Sequence, residues 1–585
     1  METLPVEILE KIFKNLRYSD LKQAAAVCHL WYDVYQRSAF MSKMVVHFKK
    51  ELTPAIINRF LQSECCYQNI CFTSIAFYDL AKSKRSLCRR DIIYEDEAFI
   101  KHMHLLLRKF SDTLQMLSFS KCHLERGRFV KFTQLVPGLK FLDIEECTFA
   151  GEDCEQPLCL PQLKKFNFKY PESEIQRFES GHIYGNLSNN SSCLAKLKVQ
   201  LFINEMYDDP DSTLWEQVKA VTKLVKQHKK TMKSFKVDSL NEPVLKRLLF
   251  DDGELQLEKV VFGELKLRKN DQIFFNFIAQ QKKIKKLEIA IESSLDINND
   301  QYLAAICNHL QQLEQLYYDM SRNSDGGLEH LQKLHKLKNL VLTKNRNTIA
   351  LTQHCFDHIY MPNLMSLGIY YKELPQQAVV QIPISFPNLM ALNLSECEKA
   401  VTDSTVQLIF RTLPTLESLD LSKCKLITEQ AFLGTARISN LKKLKDLVLE
   451  KCDGVTDHSV QGFDNPAIRS MSLAMCNRLT NVGWELLCAR CPNLTWLNAS
   501  RCRHFDDETA RIVATRLQEL EILNLFKNNS LTNEAVYHIV ENCRYLEDLC
   551  LTECRGVKMK KPQYFDDKMN RINKDCLKQR IKLIK

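Results

Sequence analysis

Cys488-Ala-Arg-Cys491 is a C-x-x-C, the spacing of a zinc pair or a redox dithiol. Zinc needs four ligands, and no second pair stands at a standard spacing; Cys65, Cys66, Cys71 and Cys88 lack metal-ligand spacing as well. There is no P-loop, no G-x-G-x-x-G after a strand and no H-E-x-x-H. No Cys/His pair is supported as nucleophile and base. These residue types in these patterns predict no catalytic residue, no metal and no cofactor. What remains is recognition. The candidate row for it is Asp420, Asp446, Glu450, Trp496, Phe526 and Asp548. An exposed Trp and Phe suit a binding hot spot, and acids beside them favour a basic ligand and speed its capture. The competing reading is a strand surface charged for solubility.

That row exists only because of a repeat. LESLDLSKC starts at Leu416, LKDLVLEKC at Leu444, IRSMSLAMC at Ile468, LTWLNASRC at Leu494, LEILNLFKN at Leu520 and LEDLCLTEC at Leu546. The template is Leu-x-x-Leu-x-Leu-x-x-Cys/Asn, with spacings of 28, 24, 26, 26 and 26 residues. Weaker copies start at Leu114, Leu139, Leu163, Leu194, Met232, Leu257, Ile284, Leu313, Leu337, Leu364 and Leu389, giving about 17 repeats. Positions 4 and 6 alternate with polar residues, which predicts a short strand with one buried face. The Cys or Asn at position 9 fills the corner where the chain turns away. A Thr-Asp/Glu/Asn step follows, as in Val401-Thr-Asp403 and Val455-Thr-Asp457, with residues suited to an N-cap and first helical turn. A helix such as Glu534 to Cys543 comes next. One strand and one helix cannot bury their own faces, but stacked copies can. The stack bends with its strands on the concave side, and positions 3, 5 and 7 face outward there. From Ser418 to Thr552 those positions hold four acids and no base.

The segment from about Leu389 to Cys554 resembles the cysteine-containing leucine-rich repeats, whose period is roughly 20–29 residues. The resemblance implies an α/β solenoid, a leucine-rich-repeat horseshoe.

The chain opens METLPVEILEKIFKNLRYSDLKQAAAVCHLWYDVYQRSAF, with Pro5 at a first helical position and apolar residues at Ile8, Leu9, Ile12, Phe13 and Leu16. Three short helices in about forty residues make a poor independent core. Leu4-Pro5, Glu7-Ile8-Leu9, Ile12-Phe13, Leu16, Asp20-Leu21, Val27-Cys28 and Trp31 match an F-box in order and spacing. By this resemblance the module docks a Skp-type adaptor, which joins a cullin scaffold and a RING subunit that recruits ubiquitin-loaded conjugating enzyme. It places adaptor contact on Leu4, Pro5, Ile8, Leu9, Ile12, Val27 and Trp31. The implied division is 1–45 F-box, 46–110 connecting segment or first irregular repeat, 111–555 repeats, and 556–585 basic tail. The implied function is the substrate-recognition subunit of a Skp–cullin–F-box ubiquitin ligase, non-catalytic, holding an unidentified protein for ubiquitination and proteasomal degradation. The other reading is a leucine-rich-repeat scaffold or inhibitor acting by binding alone.

Composition bounds these readings. Hydrophobic residues make up 45% and charged residues 26%, enough apolar material for a core. The net charge of +10 is uneven: Arg555 to Lys585 hold 11 Lys/Arg against 3 Asp/Glu, leaving about +2 for the rest. A nucleic-acid partner is therefore not expected. The tail could form an amphipathic helix through Met569, Ile572, Cys576 and Leu577, capping the last repeat or folding onto the acidic row. Lys165, Lys169, Lys196 and Lys198 read first as a solvated lysine face. No uncharged run of about 18 apolar residues occurs, so no membrane span is expected. Glu2, Glu7 and Glu10 sit where a signal peptide would be basic and apolar. The expected location is cytoplasmic and/or nuclear, with the 23 Cys reduced.

Overall fold

The computed structural model describes residues 6–15, 24, 27–37, 45–49, 54–62, 67–76, 92–93, 97–150, 158, 160–169, 187, 193–200, 213–249, 255–267, 272–293, 299–344, 350–557 and 582–584. The chain forms two compact units, Met1–Ser294 and Leu295–Lys585. Each is a leucine-rich-repeat solenoid: a parallel ladder in which each strand is followed by a turn and, in most repeats, a helix.

In the N-terminal unit the strands Val45–Lys49, Asn69–Thr73, Met116–Ser120, Phe141–Glu145, Lys165–Lys169, Lys196–Val199, Ser234–Asn241, Lys259–Leu267 and Lys286–Ser293 pair in that order, all parallel. The ladder thus begins at Val45, inside a stretch whose letters do not follow the repeat template. Aromatic packing takes the place of the leucines there: Phe48 stacks on Phe72 and Phe72 on Phe119, at 5.3 and 5.4 Å.

In the C-terminal unit the ladder from Gln315–Asp319 through Asn339–Thr343 and Ser366–Tyr370 narrows to three-residue strands, Ala391–Asn393 to Asp548–Cys550. Their register aligns template positions one to one, for example Leu419 with Leu447 and Met471 with Leu497. The chain's last strand, Lys582–Ile584, pairs parallel with Asp548–Cys550 and continues the sheet beyond the final repeat. The helix expected through Met569 to Leu577 lies outside the described residues.

Three side-chain or backbone devices recur from repeat to repeat. At position 9 each cysteine thiol donates to the position-6 carbonyl of the preceding repeat: Cys424 to Leu394 (3.3 Å), Cys452 to Leu421 (3.1 Å), Cys476 to Leu449 (3.1 Å) and Cys502 to Leu473 (3.2 Å). Asn528 does more with its amide, donating to Ala499 O at 2.8 Å and accepting from Cys502 N at 2.8 Å. Corner filling and backbone satisfaction are the same act. Burial pushes the Cys452 and Cys502 thiols up to about 12, so they stay protonated donors.

At position 8 the backbone is left-handed although the residue is not glycine: Glu396, Lys423, Lys451, Met475, Arg501, Lys527 and Glu553 have φ of 54–68°. That conformation aims the N–H at the next repeat. Lys451 N donates to Ala474 O at 2.8 Å and Met475 N to Ser500 O at 2.9 Å. Among the described residues, a backbone hydrogen bond at six of the seven, all but Glu553, offsets the strain.

On the helix side, the acid after the Thr reaches across repeats. Asp403 accepts from Thr428 N and Oγ1 at 2.7 and 2.6 Å, and Asp457 from Thr480 N and Oγ1 at 2.8 and 2.6 Å. The Thr–acid step therefore staples consecutive repeats as well as starting a helix such as Asp403–Thr412, whose N-cap is Thr402.

Candidate functional site

Two surfaces bear on recognition. The first is the leading helical module. In the helix Val6–Asn15, Leu9 and Phe13 are one turn apart and point inward; with Ala24 and Val34 they form a core of their own. Trp31 packs edge-on against Phe13, with ring centroids 5.5 Å apart. That inward face uses up Leu9, which is 0% exposed, so Leu9 is a packing residue and not the surface contact the resemblance implies. Trp31 is half-buried against the same core.

The outward face stays apolar. Ile8 is 41% exposed, Ile12 39% and Val27 62%. Val6, Leu30 and Tyr32 join them at 42%, 37% and 45%. The last three, Val6 on the first helix and Leu30 and Tyr32 in His29–Arg37, escaped the sequence reading. Leu4 and Pro5 lie outside the described residues. Exposed apolar side chains are thus concentrated on this small module.

The second surface is the half-exposed face of the C-terminal sheet. At position 3 the Cα partners run Ser418, Asp446, Ser470, Trp496, Ile522, Asp548. At position 5 they run Asn393, Asp420, Val448, Ser472, Asn498, Asn524, Cys550. Asp420 accepts from Asn393 Nδ2 at 2.8 Å and from Ser422 N at 2.9 Å. Glu450 accepts from Ser472 Oγ at 2.7 Å and from Asn498 Nδ2 at 3.3 Å. These acids sit in a hydrogen-bonded network with amide and hydroxyl neighbours that the sequence reading left out. Burial pushes the Asp420 carboxyl above its ordinary range, the Ser422 hydrogen bonds oppose this, and the Glu450 charge adds to the rise.

Position 5 also has a structural duty. Its Asx oxygen accepts from the position-7 N–H, as in Ser395 to Asn393 (2.9 Å), Ser500 to Asn498 (3.1 Å) and Phe526 to Asn524 (3.0 Å). The Asn-x-Ser triplets at Asn393 and Asn498 are thus strand-ending Asx turns.

Trp496 and Phe526 are half-buried, not fully exposed. Trp496 stands opposite Ile522, and Phe526 follows four residues later, past the end of the strand Ile522–Asn524. The Arg501 guanidinium lies over the Phe526 ring at 5.2 Å. Asp446 and Asp548 are half-buried on the position-3 row, and one oxygen of Asp548 is buried with no hydrogen-bond partner among the described residues. Cys488 and Cys491 are buried, and Cys491 donates to Phe463 O at 3.3 Å. Among the described residues no group of three or more His, Cys, Asp or Glu is placed to hold a metal, and no helix is long and apolar enough to cross a membrane.

A family model for F-box-like domains matches residues 1–46. The chain carries an F-box-like domain followed by leucine-rich repeats. F-box/LRR-repeat protein 4 of Bos taurus is 26% identical over 187 residues, covering 27% of this chain and 30% of that protein. BTB/POZ domain-containing protein FBL11 of Arabidopsis thaliana is 30% identical over 150 residues, covering 26% of this chain and 16% of that protein. The chain therefore spans less than a third of the length of these curated relatives. Among solved structures, the yeast Rad7–Elc1 complex aligns over 54% of this chain and 84% of the matched chain, with 18% identity and a TM-score of 0.35.

Proposed function

We propose that this chain is the substrate-recognition subunit of a Skp–cullin–F-box ubiquitin ligase. The observation that carries the reading is the exposure of Ile8, Ile12 and Val27, with Val6, Leu30 and Tyr32, on a module whose inward face is already filled by Leu9, Phe13, Ala24 and Val34. A module that size has little core to spare, so an unburied apolar face on it calls for a partner. The F-box-like match over the same residues supports a Skp-type adaptor as that partner, with cullin and RING subunits joined through it. The half-exposed sheet face bearing Asp420, Asp446, Glu450, Trp496, Phe526 and Asp548 receives the protein substrate. The chain transfers no ubiquitin itself; it raises the effective concentration of target lysines near the conjugating enzyme.

Reconstitution tests this. The full chain, mixed with adaptor, cullin and RING subunits, should migrate with them on gel filtration, and depleting the adaptor should release it. A chain that ignores the adaptor at micromolar concentration acts by binding alone, as a leucine-rich-repeat scaffold or inhibitor.

A further inference from the structure

The register of the N-terminal ladder gathers lysines that look scattered in the sequence. At position 3 the Cα partners run Lys165, Lys196, Ser234, Lys259, Lys286. Two residues along the strands they run Asn167, Lys198, Lys236, Val261, Glu288. Lys196 and Lys259 are exposed, and Lys165, Lys198, Lys236 and Lys286 half-buried. Adjacent strands stand about 4.8 Å apart, so the like charges are crowded. Burial holds the Lys165 ammonium below its ordinary range; Asp143 opposes this, and Lys196, Lys198 and Lys259 add to it. Lys259 is lowered by burial and then by Lys286, with Glu288 opposing.

Neutralisation stops at the edge of this face. Lys233, at a strand start, pairs with Glu258 at 3.1 Å, and Lys169 pairs with Glu146 at 2.8 Å. Among the described residues, Lys165, Lys196, Lys198, Lys236 and Lys259 form no ion pair. A solvated lysine face spreads its charges; this one aligns those five lysines across four adjacent strands, with Asp143 and Glu288 as the nearby acids.

We propose that this face of the N-terminal unit docks an acid-rich polypeptide segment, with Lys196 and Lys259 as its outermost contacts. Carboxylates one helical turn apart are about 5–6 Å from each other, close to the step between lysines on neighbouring strands. Nucleic acid fits less well. One face of the Phe141 ring on the row is covered by the Lys165 ammonium at 3.9 Å, which competes with base stacking there. Asp143 and Glu288 flank the lysines and would repel a continuous phosphate backbone.

The test uses the full chain and a fluorescein-labelled peptide with Glu at every fourth position, read by anisotropy, against the same peptide with Gln. Wild type should bind the Glu peptide and not the Gln peptide, with affinity falling between roughly 50 and 300 mM salt. Lys196→Glu/Lys259→Glu should bind at least tenfold more weakly with an unchanged thermal melt, and Lys196→Arg/Lys259→Arg should bind as wild type. The basic tail is common to all three proteins, so a loss confined to the charge reversal locates binding on this face. Equal binding by wild type and the Glu variant overturns the proposal, as does no binding by wild type. Tighter binding of a single-stranded oligonucleotide makes the face a nucleic-acid surface instead. Binding that appears only after deleting residues 201–212, which carry Glu205, Asp208, Asp209 and Asp211, makes the occupant the chain's own acid-rich segment.

Discussion

Replacing Ile8, Ile12 and Val27 by Asp separates adaptor contact from folding. These side chains keep 41%, 39% and 62% of their surface exposed. Fully burying an aliphatic side chain of this size is worth roughly 1.5–3 kcal/mol, so the unburied part of each carries about 1 kcal/mol for a partner to gain. Three together give about 3 kcal/mol, roughly 150-fold in affinity, before the cost of desolvating the new carboxylates. The same changes should cost the fold little, because surface substitutions outside special features stay within about 0.5 kcal/mol. Leu9→Ala is the converse. Leu9 is 0% exposed, and removing a buried leucine costs about 2–5 kcal/mol, enough to open a three-helix module. Titration calorimetry with a recombinant Skp-type adaptor measures the first effect. Hydrogen exchange in Val6–Asn15 measures the second. The triple variant should lose the adaptor and keep its protection; Leu9→Ala should lose both. Adaptor affinity within threefold of wild type in the triple variant would refute the assignment of this face.

Position 8 makes a prediction about strain: Lys451→Gly and Met475→Gly, at φ of 54° and 61°, should be neutral or stabilising by up to about 1 kcal/mol in urea melts, whereas a β-branched Val at either place should destabilise. Gly454→Ala should cost about 1–3 kcal/mol by the same measurement, because a Cβ there falls 2.4 Å from the Ile427 carbonyl oxygen. The cysteine ladder sets a pH limit. The folded thiols of Cys397, Cys452 and Cys502 are raised to about 12, so the folded state holds protons that the unfolded chain releases near pH 9. Their contribution is complete below pH 9 and falls as pH rises towards 12, and melts at pH 8, 9.5 and 11 should show that decline. The same thiols should resist alkylation at pH 8.5 until denaturant is added.

The sequence by itself determined the repeat, its period and its buried positions. Leu at positions 1, 4 and 6 recurs because each copy faces the same neighbour, so one-dimensional spacing carries the packing. It also determined the leading module's inward stripe, though not which member faces out: Leu9 and Ile8 are adjacent letters of equal hydropathy, and only the placement of Ala24, Trp31 and Val34 decides between them. The earliest strand was hidden because aromatic residues replace leucines: Tyr67 to Phe77 reads as a possible first strand, but Val45–Lys49 enters the ladder ahead of it without the template's letters. Cross-repeat effects were hidden for another reason. The Asp457–Thr480 staple, the Glu450–Ser472–Asn498 network and the lysine row from Lys165 to Lys286 join residues 22 or more apart in sequence. Each depends on strand register. Composition counts charges, but only the tertiary structure puts like charges side by side or supplies each acid with its donor.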